Sequence, residues 1–288
     1  MRIDMHTHST ASDGTLSPTA VLDRAALLEL DVIALTDHDT FAGLDEAQIA
    51  ASRVGVSLVE GVELSCMWSG NGDPVRLHLL GYLMDRDDPA LAEGLRRVRD
   101  DRVPRLQRMT ERLAADGIEI TWDQVAAVAG SSSVGRPHLA DALIATGAVA
   151  DREEAFDRYL HQGTPYYVPH AAFEVLDAIR LVIGTGGVTV FAHPLARSRG
   201  RTVPDEAIEQ MTDAGLAGLE VDHRDHSAED RAHLRGLAAR LDLLTTGSSD
   251  YHGTGKKDNE LGENLTAPDQ WERLQATATP PGARRPRV

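Results

Sequence analysis

Histidines and carboxylates recur at equivalent places along this sequence. One apolar stretch ends in Asp4-Met5-His6-Thr7-His8 and the next in Thr36-Asp37-His38-Asp39. A third is followed by Glu63, a fourth carries His78, a later one ends in Phe191-Ala192-His193-Pro194, and the last in Ser249-Asp250-Tyr251-His252. Residues two apart in a strand face one side, roughly 6.6 Å apart along the chain, so His6 and His8 can converge on one cation. A lone histidine after a strand usually caps or hydrogen-bonds. Six apolar runs that each deliver a histidine or carboxylate near their C-terminal end point instead to a shared cluster of metal ligands. Mixed imidazole and carboxylate donors suit zinc, manganese or iron and not calcium. The absence of any Cys-x-x-Cys pair disfavours a purely structural zinc site.

Such ligands need elements that bring them together. Short apolar runs at Arg2–Met5, Val32–Thr36, Ser57–Val62, Arg76–Tyr82, Gly187–Ala192, Gly218–Val221 and Leu243–Thr246 predict strands. Amphipathic stretches at Pro18–Leu30, Leu44–Val54, Glu174–Ile183, Asp205–Ala214 and Ala228–Leu241 predict helices between them. Ser17 before Pro18 makes a good helix start, with a capping hydroxyl and a proline at the first helical position. Strand and helix in alternation predict a parallel sheet with helices outside. Seven units fit an α/β fold of incomplete or distorted (β/α) barrel form, whose strand C-terminal ends share the rim where active sites form.

The alternation stops between Pro89 and Val168. Helical patterns at Pro89–Arg102, Pro104–Asp116, Trp122–Ala129, Arg136–Thr146 and Arg152–Leu160 predict an all-helical insertion. The expected organisation is therefore a discontinuous barrel (1–88 and 168–278), a helical insertion over 89–167 that caps the active site, and a Pro- and Arg-rich tail over 279–288 without fixed structure.

A chain of 288 residues, 42% apolar, can bury a sizeable core, and its formal charge is −16. That acidity repels polyanions, so duplex nucleic acid is not an expected partner. A small phosphorylated substrate would need a local positive site, which bound cations would supply. The single cysteine, Cys66, allows no intrachain disulfide and fits a reducing compartment. Strand-like sequence from Arg2-Ile3 argues against a signal peptide. No apolar run approaches the roughly 20 residues of a membrane span. A cytoplasmic protein without a membrane partner is expected.

The string His6-Thr7-His8-Ser9-x-x-Ser12-Asp13-Gly14, followed in order by Thr36-Asp37-His38-Asp39, Gly61-Val62-Glu63, Ala192-His193-Pro194 and Ser249-Asp250-x-His252, resembles the polymerase and histidinol phosphatase (PHP) family. The resemblance implies a distorted seven-stranded barrel and a centre of two or three divalent ions. Carried over by position, one metal would take His6, His8, Glu63 and Asp250, and a second Asp13, His38 and His252. A third would take His78 and His193, with Glu63 bridging. Three carboxylates against three divalent cations leave a charge of about +3 before any bound hydroxide, an anion site inside an acidic protein. A metal-bound hydroxide would then be the nucleophile, and the cations would neutralise phosphoryl charge.

Within the insertion, Gly135-Arg136-Pro137-His138-Leu139-Ala140 resembles a segment of the PHP branch that contains nucleoside 3′,5′-bisphosphate phosphatases and 5′-to-3′ exonucleases acting on short RNA. Phe156-Asp157-Arg158-Tyr159-Leu160 and Pro165-Tyr166-Tyr167-Val168-Pro169 look like the same branch. Arg136 is expected to clamp a substrate phosphate, and His138 to bind it or to protonate the leaving group. After Ala192-His193-Pro194 the branch would have Gly-Arg-Tyr. Here the chain reads Leu195-Ala196-Arg197-Ser198-Arg199, and Arg197 is expected to take over that phosphate contact. Asp13, Arg136, His138 and His193 form the expected catalytic set.

Other features read more plainly. Arg105, Arg108 and Arg112, in a basic run with Arg96, Arg97, Arg99 and Arg102, recur on one helical face; that face is solvated or extends the site. His223, Asp225 and His226 are surplus to the ligand set. Trp68, Trp122 and Trp271 read as packing residues. The implied activity is hydrolysis of phosphate monoesters of small nucleotides, foremost the 3′-phosphate of a nucleoside 3′,5′-bisphosphate, with short RNA or DNA oligonucleotides as further substrates. Its rivals are histidinol-phosphate phosphatase and a non-catalytic metal-binding module. A metal-dependent amidohydrolase with a carbamylated lysine ligand fits poorly, because Lys256 and Lys257 are the only lysines.

Overall fold

The computed structural model describes residues 1–70, 72–130, 134–255 and 258–279. Lys256, Lys257 and the tail from Pro280 lie outside the described residues. Strands form at β1 (Ile3–Asp4), β2 (Val32–Leu35), β3 (Ser57–Trp68), β4 (Val75–Tyr82), β5 (Phe173–Glu174), β6 (Val188–Phe191), β7 (Gly218–Asp222) and β8 (Leu244–Gly247). Helices in chain order are α1 (Pro18–Leu27), α2 (Leu44–Val54), α3 (Pro89–Asp100), α4 (Arg102–Ala115), α5 (Trp122–Ala129), α6 (Arg136–Ala145), α7 (Arg152–Ala155), α8 (Val175–Gly184), α9 (Asp205–Asp213), α10 (Ala228–Arg240) and α11 (Pro268–Thr277). The Ser17 side chain accepts the N–H of Ala20 and starts α1. Residues pack into two compact units: Met1–Leu95 with Ala172–Val288, and Arg96–Ala171.

In the first unit the sheet order is β1-β2-β3-β4-β6-β7-β8, with β5 beside β3. A single parallel bridge between Thr7 and Tyr251 links the segments that follow β1 and β8, so the sheet is a nearly closed barrel. The expected all-parallel pattern needs correcting at its middle. β3 pairs antiparallel with β4, and β4 antiparallel with β6. The linker Ser69-Gly70-Asn71-Gly72-Asp73-Pro74 is turn chemistry, too short for a crossover helix. β3 therefore changes partner along its length: residues 57–60 run parallel to β2 and residues 61–68 antiparallel to β4, while Cys66 and Met67 also pair with β5. The changeover falls at Gly61, where a Cβ would meet Thr36 Cγ2 at 2.8 Å and the Gly81 carbonyl oxygen at 3.1 Å. β3 consequently runs well past Val62, where the apolar pattern predicted its end.

The barrel core gathers Ile3, Met5, Val32, Ala34, Leu80, Tyr82, Val188, Val190 and Leu244, with Trp271 and Leu274 of α11. Tyr82 donates its hydroxyl to the Met5 carbonyl at 2.7 Å, which satisfies a polar tip inside the barrel. A second core lies under α1 and α2, around Leu22, Ala25, Ile33, Leu35, Leu44 and Tyr251. Thr279, expected to begin the unstructured tail, donates its N–H to the Gly186 carbonyl.

The helical unit has its own core, including Leu106, Met109, Leu113, Val125, Leu139, Leu143 and Leu160. Two arginines of the basic run bond carbonyls of the helical unit, one buried and one exposed. Arg105 is buried, donates to the Val168 carbonyl at 2.7 Å and lies over the Tyr167 ring. Arg112 donates to the carbonyls of Pro165 and Tyr167. They tie α4 to the returning Pro165–Val168 segment, a job for long cationic side chains with apolar stems. No helix among the described residues is long and apolar enough to cross a membrane.

Candidate metal centre

Five parallel strands end on one rim, and the residues just beyond those ends carry most of the chemistry. His6 and His8 follow β1, and His38 follows β2. His193 follows β6, and Asp250 and His252 follow β8. Glu63 and His78 arrive differently, from the middle of β3 and β4, where Ser65 stands opposite His78. Asp13 comes from the loop after His8. Gly14 closes that loop, because a Cβ there would meet the His8 carbonyl oxygen at 2.7 Å.

Glu63 is the hub. Its Oε2 lies 3.2 Å from His6 Nε2, 3.1 Å from His8 Nε2 and 3.1 Å from His38 Nδ1. Its Oε1 lies 2.8 Å from His78 Nδ1 and 3.1 Å from His193 Nε2. Asp250 Oδ1 faces His6 Nε2 at 3.5 Å and His8 Nε2 at 3.4 Å. Asp13 Oδ1 faces His252 Nε2 at 3.3 Å. All nine expected ligands thus meet in one cluster. Three groups have donor atoms close enough to share an ion: His8, Asp13, His38 and His252; His6, His8 and Asp250; and His38, Glu63 and His78. His8 and His38 each stand in two of them, more sharing than the position-by-position assignment foresaw.

Hydrogen bonds on the outer side of the rings say what the inner side needs. His6 Nδ1 meets Glu220 Oε1 at 3.0 Å. His252 Nδ1 meets the Asp250 carbonyl at 2.9 Å. Both partners are acceptors, so each Nδ1 carries the proton in the neutral ring, and each Nε2 lone pair points inward; the tautomers follow from these contacts. Inward lies His8 Nε2 at 3.0 Å from His6, and Asp13 Oδ1 at 3.3 Å from His252. At His252 and Asp13, acceptor faces acceptor. Nδ1 of His8, His38 and His78 is buried and makes no hydrogen bond. Buried lone pairs directed at each other call for cations between them, and neutral imidazole with carboxylate is the donor set that divalent metals take. These residues fit a metal centre.

Protonation shows the same need. Burial disfavours charge on His8, yet hydrogen bonds to Asp250 and Glu63 carry its ring up to about 9. Burial likewise opposes charge on His6, but Glu63, Glu220 and Asp250 raise it well above the ordinary range. Further round the ring, burial pushes His38 down to about 3. His193 is also lowered, by burial and the Arg199 guanidinium. Burial works against the Glu63 carboxylate, and the surrounding imidazoles nonetheless hold it well below the usual range.

Several supporting residues escaped the sequence reading. Glu220 is fully buried in β7, takes the His6 ring and the Ser248 hydroxyl on Oε1, and accepts the His193 N–H on Oε2 at 2.7 Å. Its signal was a carboxylate inside the apolar run Gly218–Val221. Asp37 accepts from the Ser9 N–H, the Ser9 hydroxyl and the Ser12 hydroxyl, bracing the loop that carries Asp13. Asp39 takes the Ser65 N–H and hydroxyl, and Asp4 the N–H groups of Ser249 and Gly262. His193, Asp39 and Asp250 adopt positive φ (33°, 54° and 50°), backbone strain that only a well-braced surrounding sustains.

Arg197, expected to contact a substrate phosphate, pairs with Asp230 on an exposed surface, whereas Arg199 reaches the centre, bonded to Asp250 Oδ2 and to Asp225. His223, buried, lies 3.4 Å from the same Asp250 oxygen. His226 bonds the Val221 carbonyl and the Leu195 N–H. Arg136 and His138 belong to the helical unit. Arg136 lies between the Phe156 and Tyr167 rings, 5.5 and 5.7 Å from their centroids, and donates to the Leu160 carbonyl. His138 Nδ1 accepts the Gly135 N–H at 2.9 Å.

Fold and site together define a metal-dependent hydrolase built on a barrel rim. The PHP domain family model matches residues 4–96. The chain is 37% identical over 279 residues to the 3′,5′-nucleoside bisphosphate phosphatase of Chromobacterium violaceum, covering 95% of this chain and 96% of that protein. It is 35% identical over 277 residues to a 5′-3′ exoribonuclease of Haemophilus influenzae, covering 95% and 99%. A crystal structure from Bifidobacterium adolescentis, named as a metal-dependent phosphoesterase, superposes with a TM-score of 0.85 at 38% identity over 96% of both chains. The chain belongs to the PHP family of metal-dependent phosphoesterases.

Proposed function

We propose that this protein hydrolyses phosphate monoesters of small nucleotides, foremost the 3′-phosphate of a nucleoside 3′,5′-bisphosphate. Two or three manganese, iron or zinc ions would be held by His6, His8, Asp13, His38, Glu63, His78, His193, Asp250 and His252. One observation carries the reading: a single carboxylate, Glu63, has five imidazole nitrogens within 3.2 Å, with Asp13 and Asp250 close by. Divalent cations in that cage supply an activated water at neutral pH and neutralise phosphoryl charge.

The chain's own residues do the rest. Asp13 is partly exposed and would meet an incoming substrate. His193 is held by its backbone to Glu220 and by its ring to Glu63. Arg199, in the role expected of Arg197, brings a guanidinium to the rim beside Asp250. Arg136, packed against the Phe156 and Tyr167 rings, would offer its planar fork to a phosphate. The Gly135 N–H on His138 Nδ1 leaves the ring proton on Nε2, the state needed to bind an anion or protonate a leaving oxygen.

The bisphosphate reading draws support from the Chromobacterium violaceum relative, matched over nearly the whole of both chains. The Haemophilus influenzae relative favours short RNA as a second substrate of the same site. The test is phosphate release, with manganese supplied, from adenosine 3′,5′-bisphosphate, 5′-AMP, 3′-AMP and histidinol phosphate. Preference for the bisphosphate, yielding AMP, is expected. Preference for histidinol phosphate would overturn the substrate and keep the site. Silence across the panel from metal-loaded protein would favour a non-catalytic binding module.

A further inference from the structure

Glu220 is a fully buried carboxylate that stands behind the candidate ligands rather than among them. Among the described residues three donors surround it: His6 Nδ1 at 3.0 Å, the Ser248 hydroxyl, and the His193 backbone N–H at 2.7 Å. Those donors come from the segments after β1, β8 and β6, and Glu220 itself sits in β7. One side chain therefore ties four strand ends together beneath the cluster. A glutamine could not do the same, because its NH₂ would face a donor. A charge buried at this depth needs full hydrogen bonding to be tolerated, and each partner found here bears on a candidate ligand or its neighbour.

We propose that Glu220 is a positioning residue for the metal centre: it fixes His6 in the tautomer that turns the Nε2 lone pair inward, and holds His193 in its left-handed backbone conformation. The opposite His6 tautomer would put a proton on Nε2, 3.2 Å from Glu63 Oε2 and 3.0 Å from His8 Nε2, and so block a cation. A carboxylate behind a ligating imidazole also raises its basicity. At His193, φ of 33° is unfavourable for a side chain with a Cβ. The bond from its N–H to Glu220 offsets that strain and keeps Nε2 3.1 Å from Glu63. This inference rests on the reading that His6 holds a metal.

The experiment compares zinc affinity, by chelator competition, in the wild type and in Glu220→Gln, Ser248→Ala and His6→Ala. Glu220→Gln is expected to weaken zinc binding roughly 10–100-fold, the range for an outer partner of a ligating histidine. Ser248→Ala, which leaves both histidine contacts in place but removes one of the carboxylate's three donors, is expected to lose less than Glu220→Gln. His6→Ala is expected to lose more than either. Wild-type affinity in Glu220→Gln alongside a loss in His6→Ala would overturn the positioning role and leave the metal site standing. Full affinity in His6→Ala would overturn the metal reading beneath it. A second measurement needs no variant: nitrogen chemical shifts of His6 in zinc-loaded wild type should show Nδ1 protonated and Nε2 coordinated. A proton on Nε2 would overturn the proposal.

Discussion

Replacing Glu63 with glutamine keeps its shape and removes one charge from the middle of the cluster. The effect can be sized from the geometry. Five imidazole nitrogens lie 2.8–3.2 Å from its two oxygens. At that separation, and at an effective dielectric of about 20, a unit charge pair is worth roughly 5 kcal/mol before desolvation is counted. Removing one partner of a buried pair costs a net ~3–5 kcal/mol. The same loss applied to bound cations is about two to four decades of affinity. The amide NH₂ would in addition aim protons at nitrogens that should hold lone pairs. Glu63→Gln is therefore expected to bind about 10²–10⁴-fold less tightly at one or more metal positions, and to release phosphate at rates reduced in step. Chelator competition and elemental analysis measure the first effect, and a phosphate-release assay at fixed free manganese the second. A variant with the full metal complement and near wild-type turnover would refute the view of Glu63 as hub.

Three further outcomes are expected. Asp13→Ala, on a partly exposed loop, should reduce turnover by more than the roughly hundredfold typical of an outer partner while leaving the thermal unfolding midpoint nearly unchanged; wild-type rates at matched metal content would contradict its assignment. Asp37→Ala deletes three bonds to Ser9 and Ser12 and should destabilise the fold by about 3 kcal/mol, given ~1.5–3 kcal/mol for each bond to a charged acceptor and incomplete additivity; an unchanged denaturant midpoint would count against it. The metal-free protein should carry protons on His8, raised to about 9, and on His6, raised well above the ordinary imidazole range. Because both folded values lie above the ordinary imidazole value, their ion pairs stabilise the metal-free protein at low pH and fade as pH climbs toward 9. Metal must displace those protons, so apparent metal affinity should rise with pH over the same interval. Calorimetric titration in buffers of different ionisation enthalpy would detect the release, and buffer-independent heats would exclude it.

The rim of the barrel was legible because two periodicities carry it. Apolar runs separated by amphipathic helices give parallel strands, and any His or Asp just past such a run lands on the same edge; His6, His8, His38, His193, Asp250 and His252 follow this rule. Glu63 and His78 reach the same place by another route. β3 and β4 pair antiparallel as a hairpin, which puts a mid-strand residue of each into the cluster, and the short Ser69–Pro74 linker is turn chemistry in the sequence. Alternation elsewhere outweighed that signal. The basic run of α4 hid one partner, because buried Arg105 gives its charge to the Val168 carbonyl 63 residues away, and helical spacing carries no record of such a contact.

By itself, then, the sequence determined which residue types gather on one barrel rim, because strand and helix periods translate chain position into spatial position, and its resemblance to the PHP family implied a metal-dependent phosphoesterase chemistry. Tertiary structure alone decided that Glu63 is the hub, that Arg199 rather than Arg197 faces Asp250, and that Glu220 stands behind His6. The physical reason lies in short-range contacts between groups far apart in the chain. His6 and Glu220 are 214 residues apart, and the orientation of a buried ring depends on whichever acceptor the neighbouring strand places behind it.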